Sequence, residues 1–214
     1  MYLFVDENVQ KQIKNRNIQY LFHFTDINNI DSILNMGLYS VAELKKKGIS
    51  YCNTDELRYD GKTECLSLSI EFPNYMYLQS LKEKFGNRYV IIRFRVECIF
   101  ERVIIIHKSN PHLPRWGIAQ NFNDLFFDEH RFHLLPIQYP TDPRAELQIN
   151  SSISSDYIDT IYYPTDFCEK NKIMVLQQKH TSLCFSENDY YFNERIDYEH
   201  WRIIRKNGID VFKV

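Results

Sequence analysis

The sequence predicts an α+β fold built on antiparallel sheets, and three observations carry that prediction. Strand-like segments outnumber helix-like ones and do not alternate with helices as a parallel sheet requires. Residues 65–70 (Cys-Leu-Ser-Leu-Ser-Ile) alternate apolar and polar, the period-2 signature of a half-buried strand. Residues 89–96 and 102–106 are rich in β-branched side chains, which suit a pleated surface.

Residues 18–24 are apolar and aromatic around His23 and read as a buried strand. Thr25 or Asp26 can cap a helix whose Ile27, Ile30, Ile33 and Leu34 share one face, and Gly37 closes it in the left-handed position. Ser40 with Glu43 fits a capping box opening a short helix that ends at Gly48. After the strand 65–70, Pro73 leads into a helix over 75–85 stopped by Gly86. The strands 89–96 and 102–106 follow, then a short amphipathic helix at 121–128. Residues 136–144 carry Pro136, Pro140 and Pro143 and must be a loop. Residues 145–149, 158–163 and 172–177 read as strands, and 193–207 as a last helix ended by Gly208.

With 214 residues, no repeat and no Ser/Gly/Pro linker, the chain is expected to be one domain spanning 1–214. A net charge of -2 excludes a strongly basic nucleic-acid binder; any such contact must come from a local patch or from stacking. Stacking has material to work with, since 15 Phe and 15 Tyr make the chain unusually aromatic. No apolar run reaches the roughly 18 residues of a membrane span. The first residues lack the basic region and long apolar core of a secretory signal. The five cysteines (52, 65, 98, 168 and 184) contain no CxxC pair, which argues against a disulfide framework or a zinc ribbon. A cytoplasmic location without membrane contact is the expectation.

Familiar motifs fail one by one. Gly61-Lys62-Thr63 resembles the end of a P-loop, but the required first glycine is Glu56. No GxGxxG, GxSxG or HExxH occurs. His130-x-x-His133 beside Asp128 and Glu129 is half a metal site with no second ligand pair, and no metal is expected. Against a Cys–His nucleophile stands the plainer reading of buried thiols.

Three segments remain. The first is Leu21-Phe22-His23-Phe24-Thr25, followed by Asn29, Ile33, Leu34, Gly37 and Leu38. The second is Thr54 to Gly61, leading into Leu66-Ser67-Leu68-Ser69-Ile70 and Phe72-Pro73-Asn74-Tyr75. The third is Pro140-Thr141-Asp142-Pro143-Arg144-Ala145-Glu146-Leu147, followed by Ile153 and Ile158. In this order, from about residue 18 to about 165, the chain resembles the DarT family of nucleic-acid ADP-ribosyltransferases. That family includes DNA-modifying toxins of bacterial toxin–antitoxin and phage-defence systems.

The resemblance implies the ADP-ribosyltransferase fold, two splayed, mainly antiparallel sheets around an NAD cleft with peripheral helices. It implies NAD+ as co-substrate, single-stranded nucleic acid (DNA first, RNA as the alternative) as acceptor, and a cognate antitoxin as partner. It places His23 on the ribose of NAD, with Phe24, Thr25, Asn29 and Gly37 as cofactor-binding neighbours. Arg58 matches the functional arginine, in catalysis or on the cofactor, and Glu146 matches the catalytic glutamate. The family's commoner motif reads Gln-Ala-Glu-Val where this chain has Arg144-Ala145-Glu146-Leu147. Arg144 therefore stands where such enzymes often read their target.

The residues support a parallel physical reading. Breaking the nicotinamide–ribose bond develops positive charge on the ribose, and a carboxylate such as Glu146 stabilises that charge as it appears. Taken alone, Glu146 also reads as a solvated loop edge and His23 as a satisfied core histidine. Arg58 suits a pyrophosphate bidentately or a surface ion pair equally. Arg93 and Arg95 share a strand face that can meet a phosphate backbone or plain solvent, and Trp116 offers a ring for a base. Phe24, Tyr59, Trp116, Phe122 and Tyr139 are the aromatics expected to border the cleft. A protein-directed transferase and a non-catalytic NAD- or nucleic-acid-binding module are the competing functions.

Overall fold

The computed structural model describes residues 2–52, 61–109, 119–126 and 135–199. Eight strands lie within them: β1 (Tyr2–Phe4), β2 (Tyr20–Asp26), β3 (Leu66–Ile70), β4 (Tyr89–Arg95), β5 (Val103–His107), β6 (Glu146–Ile149), β7 (Ile158–Tyr163) and β8 (Cys184–Glu187). The helices are α1 (Glu7–Asn15), α2 (Ile30–Met36), α3 (Val41–Lys47), α4 (Tyr75–Phe85) and α5 (Lys170–Lys179). The strands join edge to edge in the order β1-β5-β6-β3-β2-β4-β7-β8.

The α+β class expected from the sequence is the one observed, and the two expected sheets are two halves of this order, joined at β3. The first half of β3 pairs with β6 (Leu66↔Ile149 to Leu68↔Leu147), and its last two residues pair with β2 (Leu21↔Ile70, Phe22↔Ser69). Beyond Phe22, β2 has no strand on its β3 side among the described residues, although it stays paired with β4 as far as Asp26. The halves therefore part along the stretch that contains His23.

Alternation along the strands sorts the side chains onto two faces. Leu21, Leu66, Leu68, Ile92, Phe94, Ile104, Ile106 and Leu147 belong to the main core with the buried faces of α1, α2 and α5. Phe22, Ile91 and Tyr162 face the other way, onto Leu78 and Leu81 of α4.

Most elements lie within a residue or two of their expected bounds. The capping box at Ser40 and Glu43 forms, and Gly48 closes α3 in the left-handed conformation. Asp26, not Thr25, caps the turn before α2 by accepting the Asn28 N–H. Gly37 has the expected positive φ of 95° but an extended ψ of 174°, so the backbone turns away instead of curling over the helix. The expected helix at 121–128 is a single 3-10 turn, Phe122–Leu125; residues 127 and 128 lie outside the described residues. The expected last helix begins only at Tyr198, and most of its span also lies outside them.

One assignment is corrected. Residues 172–177 lie inside α5, not in a strand. Ile173 and Leu176, three apart, are buried while Met174 and Val175 are exposed, which is helical spacing hidden in a short apolar run. α5 carries the chain from β7 to β8, and the two strands are parallel, the one such pair in the sheet order.

Two junctions fix the geometry near the parting. A Cβ on Gly37 would stand 2.5 Å from the Ile153 carbonyl oxygen. That close approach accompanies a short bridge in which Leu38 and Ile153 exchange N–H···O bonds of 2.8 and 2.9 Å. Glu71, at the end of β3, has a φ of 57° and folds its half-buried carboxylate back onto the N–H groups of Gln19 and Tyr20. Burial, its largest influence, pushes the Glu71 carboxyl above its usual range despite those donors and Arg93.

Gly37→Ala is expected to cost about 2 kcal/mol or more, through strain at positive φ and the clash with Ile153. A thermal melt reads this as a drop of several degrees, at about 2–4 °C per kcal/mol for a chain of this size. Glu71 predicts a pH effect of definite sign. An acid with a raised folded pKa adds stability while protonated, and that contribution is lost as pH rises from 4.5 through the folded value. Glu71→Gln keeps the accepting oxygen and is expected to be at least as stable as the wild type at pH 7, with the advantage shrinking in urea denaturation as pH falls through the raised folded value toward 4.5.

Candidate active site

The site forms where β2 and β6 diverge from β3. His23 sits on β2 at the first position past the β2–β3 pairing, and its Nδ1 lies 3.1 Å from the Ser67 carbonyl oxygen. A carbonyl only accepts, so Nδ1 carries the proton and Nε2 is the ring's other face. Ser67, at the middle of the β3–β6 pairing, donates its hydroxyl to Glu146 Oε1 at 2.9 Å. One bond thus crosses between the half-sheets, His23 to the Ser67 backbone, and the Ser67 side chain continues the line to Glu146 within the β3–β6 half.

A pocket of about 120 Å³ opens beside this line, on the side of α2 and α3. His23, Thr25, Asn29, Gly37, Tyr39, Tyr51 and Ser67 are among its walls. Asn29 builds much of its frame. Its amide donates to Thr25 Oγ1 at 2.9 Å and to the Cys52 carbonyl at 2.8 Å, and its own carbonyl accepts the Cys52 N–H at 2.7 Å. The strand end, the helix entry and the segment 50–52 are therefore tied through one side chain. Tyr39 and Tyr51 supply ring faces, and Lys47 Nζ stands 4.9 Å over the Tyr39 ring.

Glu146 is held from behind as well. Gln148, two residues on and on the same face of β6, donates from Nε2 to Glu146 Oε1 at 2.9 Å. The Gln148 carbonyl takes Lys62 Nζ at 3.2 Å and lies 3.1 Å from His107 Nε2. The loop entering β6 is clamped too. Asp142 is fully buried and accepts the Arg144 N–H and two guanidinium N–H bonds of 3.0 and 2.8 Å. Arg195, also buried, donates to the Pro140 and Thr141 carbonyls and pairs bidentately with Asp197 at 2.6 and 2.7 Å.

Of the residues selected from sequence, the structure brings His23, Thr25, Asn29 and Gly37 to one pocket and ties Glu146 to it through the Ser67 hydroxyl. Phe24 stands apart in its side chain: strand alternation turns its ring to the other face, against Tyr77, so only its backbone borders the parting. Arg58, Tyr59 and Trp116, like His130 and His133, lie outside the described residues. Arg93 is engaged within the fold. Asp159 is the extra residue of a bulge between β4 and β7, and its carboxylate grips the Arg93 guanidinium, which also stacks 4.1 Å from the Tyr20 ring. Arg95 donates to the Asp156 carbonyl at 2.6 Å.

The aromatics expected at the cleft are distributed differently. Phe122 is in the core. Tyr139 joins Phe72 and Tyr190 in a cluster of rings, where burial pushes its hydroxyl up. The neighbouring Tyr162 is pushed to about 12, again chiefly by burial. The raised Tyr139 and Tyr162 hydroxyls keep their protons at physiological pH, and the rings form a wall on the α4 face. The pocket uses Tyr39 and Tyr51 instead. Sequence reasoning missed both, together with Ser67, Gln148, His107 and the Arg195–Asp197 clamp; only Ser67, on an alternating strand, carried a signal. Among the described residues, no three metal-ligating side chains converge.

No protein-family model and no curated protein matches the sequence. Solved structures match its fold. DarTG of Thermosipho africanus in complex with ADP-ribose aligns with a TM-score of 0.60 and 16% identity, over 81% of this chain and 51% of that one. DarT of Thermus sp. 2.9 in complex with ADP-ribosylated ssDNA gives 0.57 at 10% identity, over 82% of this chain and 97% of that one. The same Thermus protein in complex with NAD+ gives 0.53 at 9% identity, over 80% and 97%. The chain thus spans about half the length of the Thermosipho chain. It has the fold of these DarT structures.

The frame role of Asn29 is testable without any ligand. Asn29→Ala leaves the Cys52 N–H, the Cys52 carbonyl and the Thr25 hydroxyl without their partner. A loss of about 1–3 kcal/mol is expected in chemical denaturation.

Proposed function

We propose that this chain transfers ADP-ribose from NAD+ to a base of single-stranded nucleic acid, with DNA as the first choice of acceptor. One observation carries the reading: His23, Ser67 and Glu146 are hydrogen-bonded in line across the parting of the two half-sheets, beside a pocket, in a chain with the DarT fold. The Thermus and Thermosipho structures, whose bound species are NAD+, ADP-ribose and ADP-ribosylated ssDNA, support the choice of substrates.

The residues fit a dinucleotide. The pocket offers two tyrosine rings, the Thr25 hydroxyl and an imidazole, while the β2 edge past Phe22 offers backbone groups to an amide. His23 holds the ribose next to nicotinamide through Nε2. Thr25, Asn29 and Gly37 shape the wall behind it, and the Phe24 backbone borders the nicotinamide. As the C–N bond breaks, its electron pair leaves with nicotinamide and positive charge grows on the ribose. Glu146 stabilises that charge and orients the 2′-hydroxyl, an interaction stronger in the transition state than in the ground state. A base nitrogen or oxygen then attacks the ribose carbon, and the proton it carried passes to solvent.

Arg58 is assigned to the pyrophosphate or to the target, and Arg144, fixed on Asp142 at the mouth of the loop, to reading the acceptor. Trp116 is assigned to stacking, and Arg93 and Arg95 to the rim of the acceptor path. In the cell the chain is the toxin of a toxin–antitoxin pair. It works in the cytoplasm in phage defence and is held in check by a cognate antitoxin. No helix among the described residues is long and apolar enough to cross a membrane.

The test is incubation with labelled NAD+ and separate pools of single-stranded DNA, RNA and protein. Label is expected in the DNA pool. Label only in RNA moves the acceptor, label only in protein overturns the nucleic-acid reading, and NAD+ binding without label leaves a non-catalytic module. Glu146→Ala is expected to fold and to lose transfer by about 10²-fold or more, the scale of losing a charge-stabilising group. His23→Ala is expected to weaken NAD+ binding in calorimetry by about tenfold, the worth of one good hydrogen bond; unchanged affinity returns His23 to the core.

A further inference from the structure

Glu146 does not meet the sheet alone. The geometry points to Gln148 as a positioning residue that holds the Glu146 carboxylate in its working orientation, and to Lys62 and His107 as the groups that set which way the Gln148 amide faces. This inference rests on the assignment of Glu146 to transition-state stabilisation.

The direction of every bond in the network follows from the donors. Lys62 carries an ammonium, which only donates, so the atom 3.2 Å from it is the Gln148 carbonyl oxygen. The other end of the amide is then NH2, which also only donates, and its partner at 2.9 Å, Glu146 Oε1, must accept. Ser67 donates to the same oxygen at 2.9 Å. His107 approaches the occupied carbonyl at 3.1 Å and must carry its proton on Nε2. An amide turned over would set its oxygen against a carboxylate and its NH2 against an ammonium, so only one orientation satisfies Glu146 and Lys62 together.

The site is built for this. Gln148 is fully buried and His107 nearly so, on the face of β5 and β6 turned away from the apolar core. A buried amide is costly unless its groups are paired, and a paired one is rigid. Among the described residues, the charged and titratable groups bonded into the Gln148–Glu146 pair include Lys62 from the segment before β3, His107 from β5, and His23 across Ser67 from β2. The network therefore presents Oε1 to two donors, each itself tied into the sheet.

Three variants test the proposal, each read by kcat and KM for NAD+ in transfer to a single-stranded oligonucleotide. Gln148→Met, close in volume, is expected to lower kcat by about ten- to hundredfold, the rate equivalent of one hydrogen bond to a charged group, with KM changed less than about twofold. Gln148→Glu has a distinctive pH signature. At low pH the pair of carboxyls shares one proton and the donor to Glu146 is restored; at high pH both ionise and repel. Its rate is expected to recover on acidification and to collapse toward alkaline pH, a limb the wild type lacks. A merely structural role would lower the rate equally across the range.

Lys62→Met, at a half-buried position, keeps the test open if either Gln148 variant fails to bind NAD+ in calorimetry. It is expected to lower kcat several-fold by freeing the amide to turn. Wild-type kcat in Gln148→Met or in Lys62→Met, or a wild-type pH profile in Gln148→Glu, overturns the proposal. Glu146→Gln separates this from the reading beneath it. If Glu146→Gln keeps full transfer, the assignment of Glu146 fails; if it loses transfer while the Gln148 and Lys62 variants match the wild type, the positioning role alone fails.

Discussion

A strand of five residues cannot keep two diverging neighbours paired along its whole length, and β3 divides itself between them. Leu66 to Leu68 follow β6, while Ser69 and Ile70 follow β2. Everything at the site depends on this division. It frees the edge of β2 past Phe22, and it puts a serine backbone and side chain at the point of separation. One residue, Ser67, can then reach both halves, by its carbonyl to His23 and by its hydroxyl to Glu146. The cleft is a missing stretch of ladder, held open by side-chain hydrogen bonds where strand pairing stops.

The two faces of the sheet serve different ends. The core face is apolar and packs α1, α2 and α5. The face of β3, β5 and β6 turned away from it carries Ser67, Glu146, Gln148 and His107, a polar set that the fold keeps almost wholly paired. The loop entering β6 is fixed as firmly, by the buried Asp142 under Arg144 and by Arg195 on the carbonyls of Pro140 and Thr141. The Leu38–Ile153 bridge connects the pocket wall to the chain leaving β6. The pocket and the glutamate therefore belong to one hydrogen-bonded frame, which is the preorganisation that stabilising a short-lived charge requires.

Much of this was legible in the residues, and the reasons are local. The alternation at 65–70, the Ser40–Glu43 box and the helix from Asn74 to Gly86 are signals carried within one turn or one strand, and each formed as expected. The run at 172–177 misled because six apolar and polar residues cannot separate a strand from a half-buried helix; only packing against the sheet decides it. β1, α1 and β8 went unread, being short or polar elements that take their order from neighbours far along the chain. At the site, His23, Thr25, Asn29 and Gly37 lie in one continuous segment, but their role, like that of Glu146, was legible only through the family resemblance. Gln148, His107, Lys62 and Arg195 were invisible because their partners are set by register, which no single stretch of sequence reveals. The aromatic excess divides between strand surfaces and a tyrosine wall on the α4 face, with Tyr39 and Tyr51 as the rings that line the pocket.

The central claim is that the parting of β2 from β3 is where an N-glycosidic bond of NAD+ is broken and remade on a base. The most direct measurement is mass spectrometry of nucleosides digested from single-stranded oligonucleotides treated with NAD+ and the protein, in parallel with Glu146→Gln. One nucleoside carrying a single ADP-ribose, present with the wild type and lost with the variant, is the expected result. Unmodified nucleosides in both samples, with NAD+ bound by the wild-type protein, would contradict it.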